Sequence, residues 1–135
     1  STATSGEPSL TTIDAPSAGF TLVSGLNNRG DILGFSRSGG TGRPSRGFLL
    51  DRDVFTAVDF PASPQTEPYD VNDRGQVCGG YELSGVEHGY IRDENGITTI
   101  DGPGASTTEA TSINNRGDVA GYYITLGTFH GFVRR

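Results

Sequence analysis

Apolar residues make up only 33% of this 135-residue chain. No stretch approaches the ~20 apolar residues that a membrane-spanning helix needs, so membrane insertion is not expected. Basic residues are scarce too: ten Lys and Arg against sixteen Asp and Glu leave a formal charge of -6. A phosphate-backbone partner calls for concentrated Lys and Arg, which argues against nucleic acid and against anionic membrane surfaces. There is one cysteine, Cys78, which excludes a disulfide within the chain and leaves the redox compartment unread. Long amphipathic periodicity is missing, as are the Gly-x-Ser-x-Gly elbow of hydrolases and the His-Glu-x-x-His helix of metalloproteases.

What the chain has is glycine, 21 residues, with seven prolines. That balance suits short strands and tight turns. Its length fits one compact domain that buries roughly two-thirds of the surface of the unfolded chain. The polar opening from Ser1 to Pro8, without Met, fits a mature secreted protein or a piece of a longer one.

Internal periodicity organises the rest. Asn27-Asn28-Arg29-Gly30, Asn72-Asp73-Arg74-Gly75 and Asn114-Asn115-Arg116-Gly117 recur at steps of 45 and 42. Asp14, Asp59 and Asp101, each two residues before a proline, keep the same register, as do Gly34, Gly79 and Gly121. Gly47-Phe48, Gly89-Tyr90 and Gly131-Phe132 are spaced 42 and 42 instead, which places three extra residues of the first unit in the loop Phe35 to Arg46. Alternation and turn chemistry divide each unit into four short strands. In the last unit these are Glu109 to Asn114, Asp118 to Ile124 and Phe129 to Arg134, preceded by Ile97 to Ile100. The Asn-x-Arg-Gly corner joins the first two, with Asn capping its own backbone and Gly supplying a positive φ. Core positions are Leu26, Val71 and Ile113; Ile32, Val77 and Val119; and Phe48, Tyr90 and Phe132. Cys78, where the other units carry Leu33 and Ala120, reads as a buried small apolar residue.

The pattern Ile-Asn-Asn-x-Gly-x-Val-x-Gly-Tyr, then His-Gly-Phe, then Thr-Thr-Ile-Asp-x-Pro-Gly resembles the extracellular HAF-type repeat family of bacteria. The match is best over Ser112 to Val133 with Thr98 to Gly104, and the units together span about Leu10 to Arg135. The first unit departs from it, with Arg46 where His88 and His130 stand. The resemblance implies an extracellular or cell-surface location and a repeat architecture, and it brings no catalytic activity with it.

A four-stranded repeat of about 42 residues is the form of a propeller blade. The expected fold is therefore all-β: a single repeat domain over 1–135, with units at about 10–55, 56–97 and 98–135. Propellers close with 4 to 8 blades, so three would need a second chain, giving a homodimer of six. The chain is expected to begin with the fourth strand of a unit (Leu10 to Asp14) and end with the third (Phe129 to Arg134). A β-trefoil, which also uses three four-stranded repeats, is the alternative.

Candidate chemistry is sparse, and no cofactor, metal site or catalytic residue is expected. Asp70 to Gly75 partly resembles a calcium loop, but Arg74 occupies a place where an oxygen is needed. Arg29-Gly30-Asp31 and Arg116-Gly117-Asp118 spell an adhesion tripeptide inside a corner. Asp14, Asp59 and Asp101 are expected to bind backbone amides or the repeated Arg29, Arg74 and Arg116 across unit boundaries. His88 and His130 are ligand-contact candidates. Arg37, Arg43 and Arg46 in the inserted loop would suit an anionic glycan or an acidic protein surface. The expected function is a secreted, non-catalytic binding or assembly module for a glycan or protein. The alternative is a small polysaccharide hydrolase or lyase using His88 or His130 with a nearby carboxylate.

Overall fold

A computed structural model describes residues 9–38, 45–59, 63 and 65–135, and all of their regular structure is β. The first sheet holds β1 (Phe20–Leu26), β2 (Ile32–Arg37), β3 (Arg46–Asp51) and β4 (Val54–Ala57), antiparallel and in sequence order. The same order recurs in β5 (Gln65–Val71), β6 (Val77–Leu83), β7 (Val86–Asp93) and β8 (Gly96–Ile100). It recurs once more in β9 (Thr107–Ile113), β10 (Val119–Thr125) and β11 (Thr128–Arg134). One parallel bridge, Glu87 opposite Thr107, joins β7 to β9 and merges the second and third groups into a seven-stranded sheet.

Local chemistry explains the recurrence. At each corner Asn folds its side chain onto its own turn: Asn27 Oδ1 accepts from the amides of Arg29 and Asp31, Asn72 Oδ1 from Arg74 and Gln76, and Asn114 Oδ1 from Arg116 and Asp118. Gly30, Gly75 and Gly117 close the turns at φ of 86°, 78° and 86°, where a side chain would be strained. Just before each corner the first strand carries a bulge, at Val23/Gly25, Pro68/Asp70 and Ala110/Ser112. The bulge pushes a carbonyl toward the second strand, and there Gly34, Gly79 and Gly121 stand: a Cβ on them would be driven into Leu22 O, Glu67 O and Glu109 O.

Packing follows the alternation. Leu33, Val58, Val71, Val77, Tyr81 and Tyr90 form one cluster between the first two units. Cys78, Ile91, Ala110, Ile113 and Val119 form another between the second and third. The buried Cys78 thiol is pushed up to about 12, by desolvation first and then by the negative charge of Asp70.

The start of the chain corrects an expectation. Leu10 to Asp14 is not a strand. An isolated extended segment leaves its amides without a ladder, and the chain's own β11 lies at the far end of the other sheet. Ile13 and Ala15 pack instead against Phe48 and Leu50 of the first sheet.

Candidate functional site

One histidine and one of the repeated acids meet in the second unit. His88 Nδ1 lies 2.6 Å from Asp101 Oδ1, at the end of the β7–β8 pairing, and the Tyr81 ring stacks on the imidazole at 5.1 Å. A histidine beside an orienting acid is the geometry of a general base. In the first unit, however, the same place holds Arg46 facing Asp59 at 3.7 Å, and a guanidinium cannot serve as a base at ordinary pH. What the first two units share is a nitrogen-bearing side chain on the third strand tied to the carboxylate just past the fourth. Asp59 Oδ1 also accepts the Gly47 amide at 2.8 Å, as expected of a carboxylate satisfying the backbone. The corner arginines do not reach these acids: Arg29 faces Asp31, Arg116 faces Asp118, and Arg74 donates to Gln76, each within its own corner. Their reach is taken up locally, two residues away.

His130 has the stacking partner, Tyr123 at 5.0 Å, without the acid. Its counterpart Asp14 sits on the first sheet, beside a hollow of about 180 Å³ lined by Thr12, Ile13, Leu50 and Phe55. The structure therefore brings together His88 with Asp101 and Arg46 with Asp59, and separates His130 from Asp14.

Two of the three loop arginines can be placed. Arg37 donates to Ser45 Oγ at 2.9 Å, faces Glu67 at 3.8 Å and lies over the Phe20 ring. Arg46 is exposed and borders a hollow of about 280 Å³ with Pro16, Ser17, Ser36 and Ser38. Arg43 lies outside the described residues. In the first adhesion tripeptide Asp31 is buried and accepts from Asn27 Nδ2, and in the second Asp118 accepts from Asn114 Nδ2 and from Arg116.

No protein-family model matches the chain, and no curated protein or solved structure does either.

The corners form a ladder along one end of the molecule. Asn27 Nδ2 donates to Asn72 O at 3.0 Å and Asn72 Nδ2 to Asn114 O at 2.9 Å. Beside that rail, the Asp73 carboxylate accepts from the amide and side chain of Asn28 and from Asn115 Nδ2. Those hydrogen bonds, the Asn28 ones foremost, hold its carboxyl below the usual range. Asp70, the first residue of the calcium-like segment, spends its oxygens on the amides of Val71 and Ile113.

Sequence reasoning expected open ends but did not name the residues that form them. Val71 and Ile113 are 4% and 7% exposed because the preceding unit covers them, whereas Leu26 at the same place in the first unit is 67% exposed. Val23 is likewise 47% exposed, while its counterpart Ala110 is fully buried. At the opposite end Val133 is 57% exposed where its counterpart Ile91 is at 7%. There Ser112, Asn114, Val119, Ala120 and Val133 line an open groove of about 240 Å³. The signal lay in the repeat itself, since equal residues at unequal depths mark where the stack stops.

Proposed function

We propose that the chain is a secreted, non-catalytic β-repeat module whose partner is a protein surface, namely a second copy of itself. In this reading the three units are propeller-type blades, and two chains stack end to end into a six-bladed ring. The observation that carries it is the contrast between Leu26, exposed, and its buried counterparts Val71 and Ile113. The face that the second and third units bury against a predecessor is left bare on the first, and a groove stands open on the third. The ladder is unfinished in the same sense. Among the described residues Asn114 Nδ2 donates only within its own corner, to Asp118, where Asn27 and Asn72 also reach the next unit. Side-by-side first strands in successive units and sequential strand order suit a propeller better than a trefoil.

An anionic glycan has less behind it, because Arg37 is committed to Glu67 and Ser45. The extracellular placement rests on the resemblance to HAF-type repeats. Light scattering across a concentration series tests the assembly: a mass of twice 14.2 kDa is expected, and Leu26→Glu, an exposed change that spares the core, should return the monomer. A wild-type chain that stays monomeric up to ~100 μM, well above the ordinary range of specific association, sinks the proposal.

A further inference from the structure

The segment Leu10 to Asp14 and the strand β11 repeat a pair that is already joined elsewhere in the chain. Thr11-Thr12-Ile13-Asp14 is identical to Thr98-Thr99-Ile100-Asp101, which closes on β7. His130-Gly131-Phe132-Val133-Arg134 differs from His88-Gly89-Tyr90-Ile91-Arg92 only by Phe for Tyr and Val for Ile. β8 pairs β7 with Gly89 opposite Ile100 and Ile91 opposite Thr98, and the His88–Asp101 clamp lies just beyond. β11 pairs β10 along its whole length, while no described strand lies on its other edge.

The lead-in to β1 is set in the conformation of a unit that has a predecessor. Ala18 N donates to Ala15 O at 3.2 Å as Ala105 N does to Gly102 O at 3.1 Å. Ala15 N donates to Thr21 Oγ1 at 3.1 Å as Gly102 N does to Thr108 Oγ1 at 3.0 Å. Before this shared turn Ile13 packs against Phe48 and Leu50, and among the described residues no strand pairs with the segment.

We infer that Leu10 to Asp14 of one chain adds to the free edge of β11 in a second copy, completing its last unit as a fourth strand. The register follows β7–β8: Gly131 opposite Ile13, Phe132 opposite Thr12, Val133 opposite Thr11, with Asp14 seated on His130. The exchange rests on the end-to-end assembly above and adds a main-chain ladder and a histidine–carboxylate hydrogen bond to it. It also accounts for the exposure of His130, whose counterpart His88 is partly covered.

Oxidation of the Thr11→Cys/Val133→Cys double variant tests the register, since directly opposed strand residues hold their Cβ atoms within disulfide reach. A disulfide-linked dimer is expected on a non-reducing gel, absent from either single variant. A cross-link confined to one chain overturns the exchange. So does failure to cross-link in a chain that light scattering finds dimeric, an outcome that leaves the end-face assembly standing; a monomer at every concentration removes both. For the clamp, His130→Asp should weaken the dimer by roughly tenfold or more. His130→Arg, which reproduces the Arg46–Asp59 pair, should preserve it. Equal affinity in His130→Asp and the parent overturns the Asp14–His130 pairing.

Discussion

The side-chain amide of Asn72 donates to the main-chain carbonyl of Asn114, 42 residues further along, at 2.9 Å. The same amide donates to Gln76 Oε1 at 2.7 Å, and its carbonyl accepts from Arg74 and Gln76. One buried side chain thus shapes its own corner and fastens it to the next. Asn72→Ala orphans amides in a partly buried turn and should cost about 2–3 kcal/mol. The exposed Asn114, which lacks the forward bond, should cost about 1 kcal/mol. Urea unfolding of the two variants checks the difference, and equal losses would contradict the ladder.

Gly79 and Gly80 are adjacent and should respond oppositely. A Cβ on Gly79 meets the Glu67 carbonyl, which is backbone held by the bulge, whereas one on Gly80 finds the Glu87 side chain at 3.4 Å, an ordinary contact. Gly79→Ala is expected to lose about 3 kcal/mol or more, the cost of overpacking against a main chain that cannot give way. Gly80→Ala should be neutral or gain about 0.5 kcal/mol from the stiffer unfolded chain. Thermal midpoints of the two single variants decide it.

Tyr90 is buried, and its hydroxyl has no hydrogen-bond partner among the described residues. The other units place Phe48 and Phe132 there. Removing an unsatisfied hydroxyl while keeping the ring recovers its desolvation cost, so Tyr90→Phe should stabilise by about 1 kcal/mol. Destabilisation in a denaturant titration would show that the hydroxyl is satisfied.

Glu87 sits at the single bridge between the second and third units, among Glu67, Glu82 and Glu109. Burial first, then a hydrogen bond and charge from Glu109, push its carboxyl up to about 8 from an ordinary 4.5. The folded chain holds that proton where the unfolded chain has released it. This contribution is fully present below 4.5 and is lost as pH rises through 8. Stability should therefore fall between pH 5 and pH 9, and Glu87→Gln should flatten the profile. Asp73 acts in the opposite sense and at lower pH: its depressed carboxyl contributes above its ordinary 3.8 and is lost below it. Urea midpoints at three pH values separate the two.

Strand order, the corners and the narrow glycines were legible in the sequence because they are local. An Asn that caps its own turn, a Gly at positive φ and a period-two run of apolar residues act within a few residues of one another, and each recurs at a step that can be counted. The clamp was half legible. His88 and Asp101 were both singled out, but their pairing depends on the β7–β8 register, which composition does not specify.

Depth was decided by tertiary structure alone. Leu26, Val71 and Ile113 look alike as residues, and only the presence of a preceding unit separates the buried pair from the exposed one. Leu10 to Asp14 has the sequence of a strand and repeats one that forms, yet it stays unpaired because a strand is made by its partner's edge. The three units and their corners are thus a property of the sequence, set by short-range chemistry. Where the stack ends, and what its open faces lack, is a property of the folded chain, set by contacts between residues more than 40 positions apart.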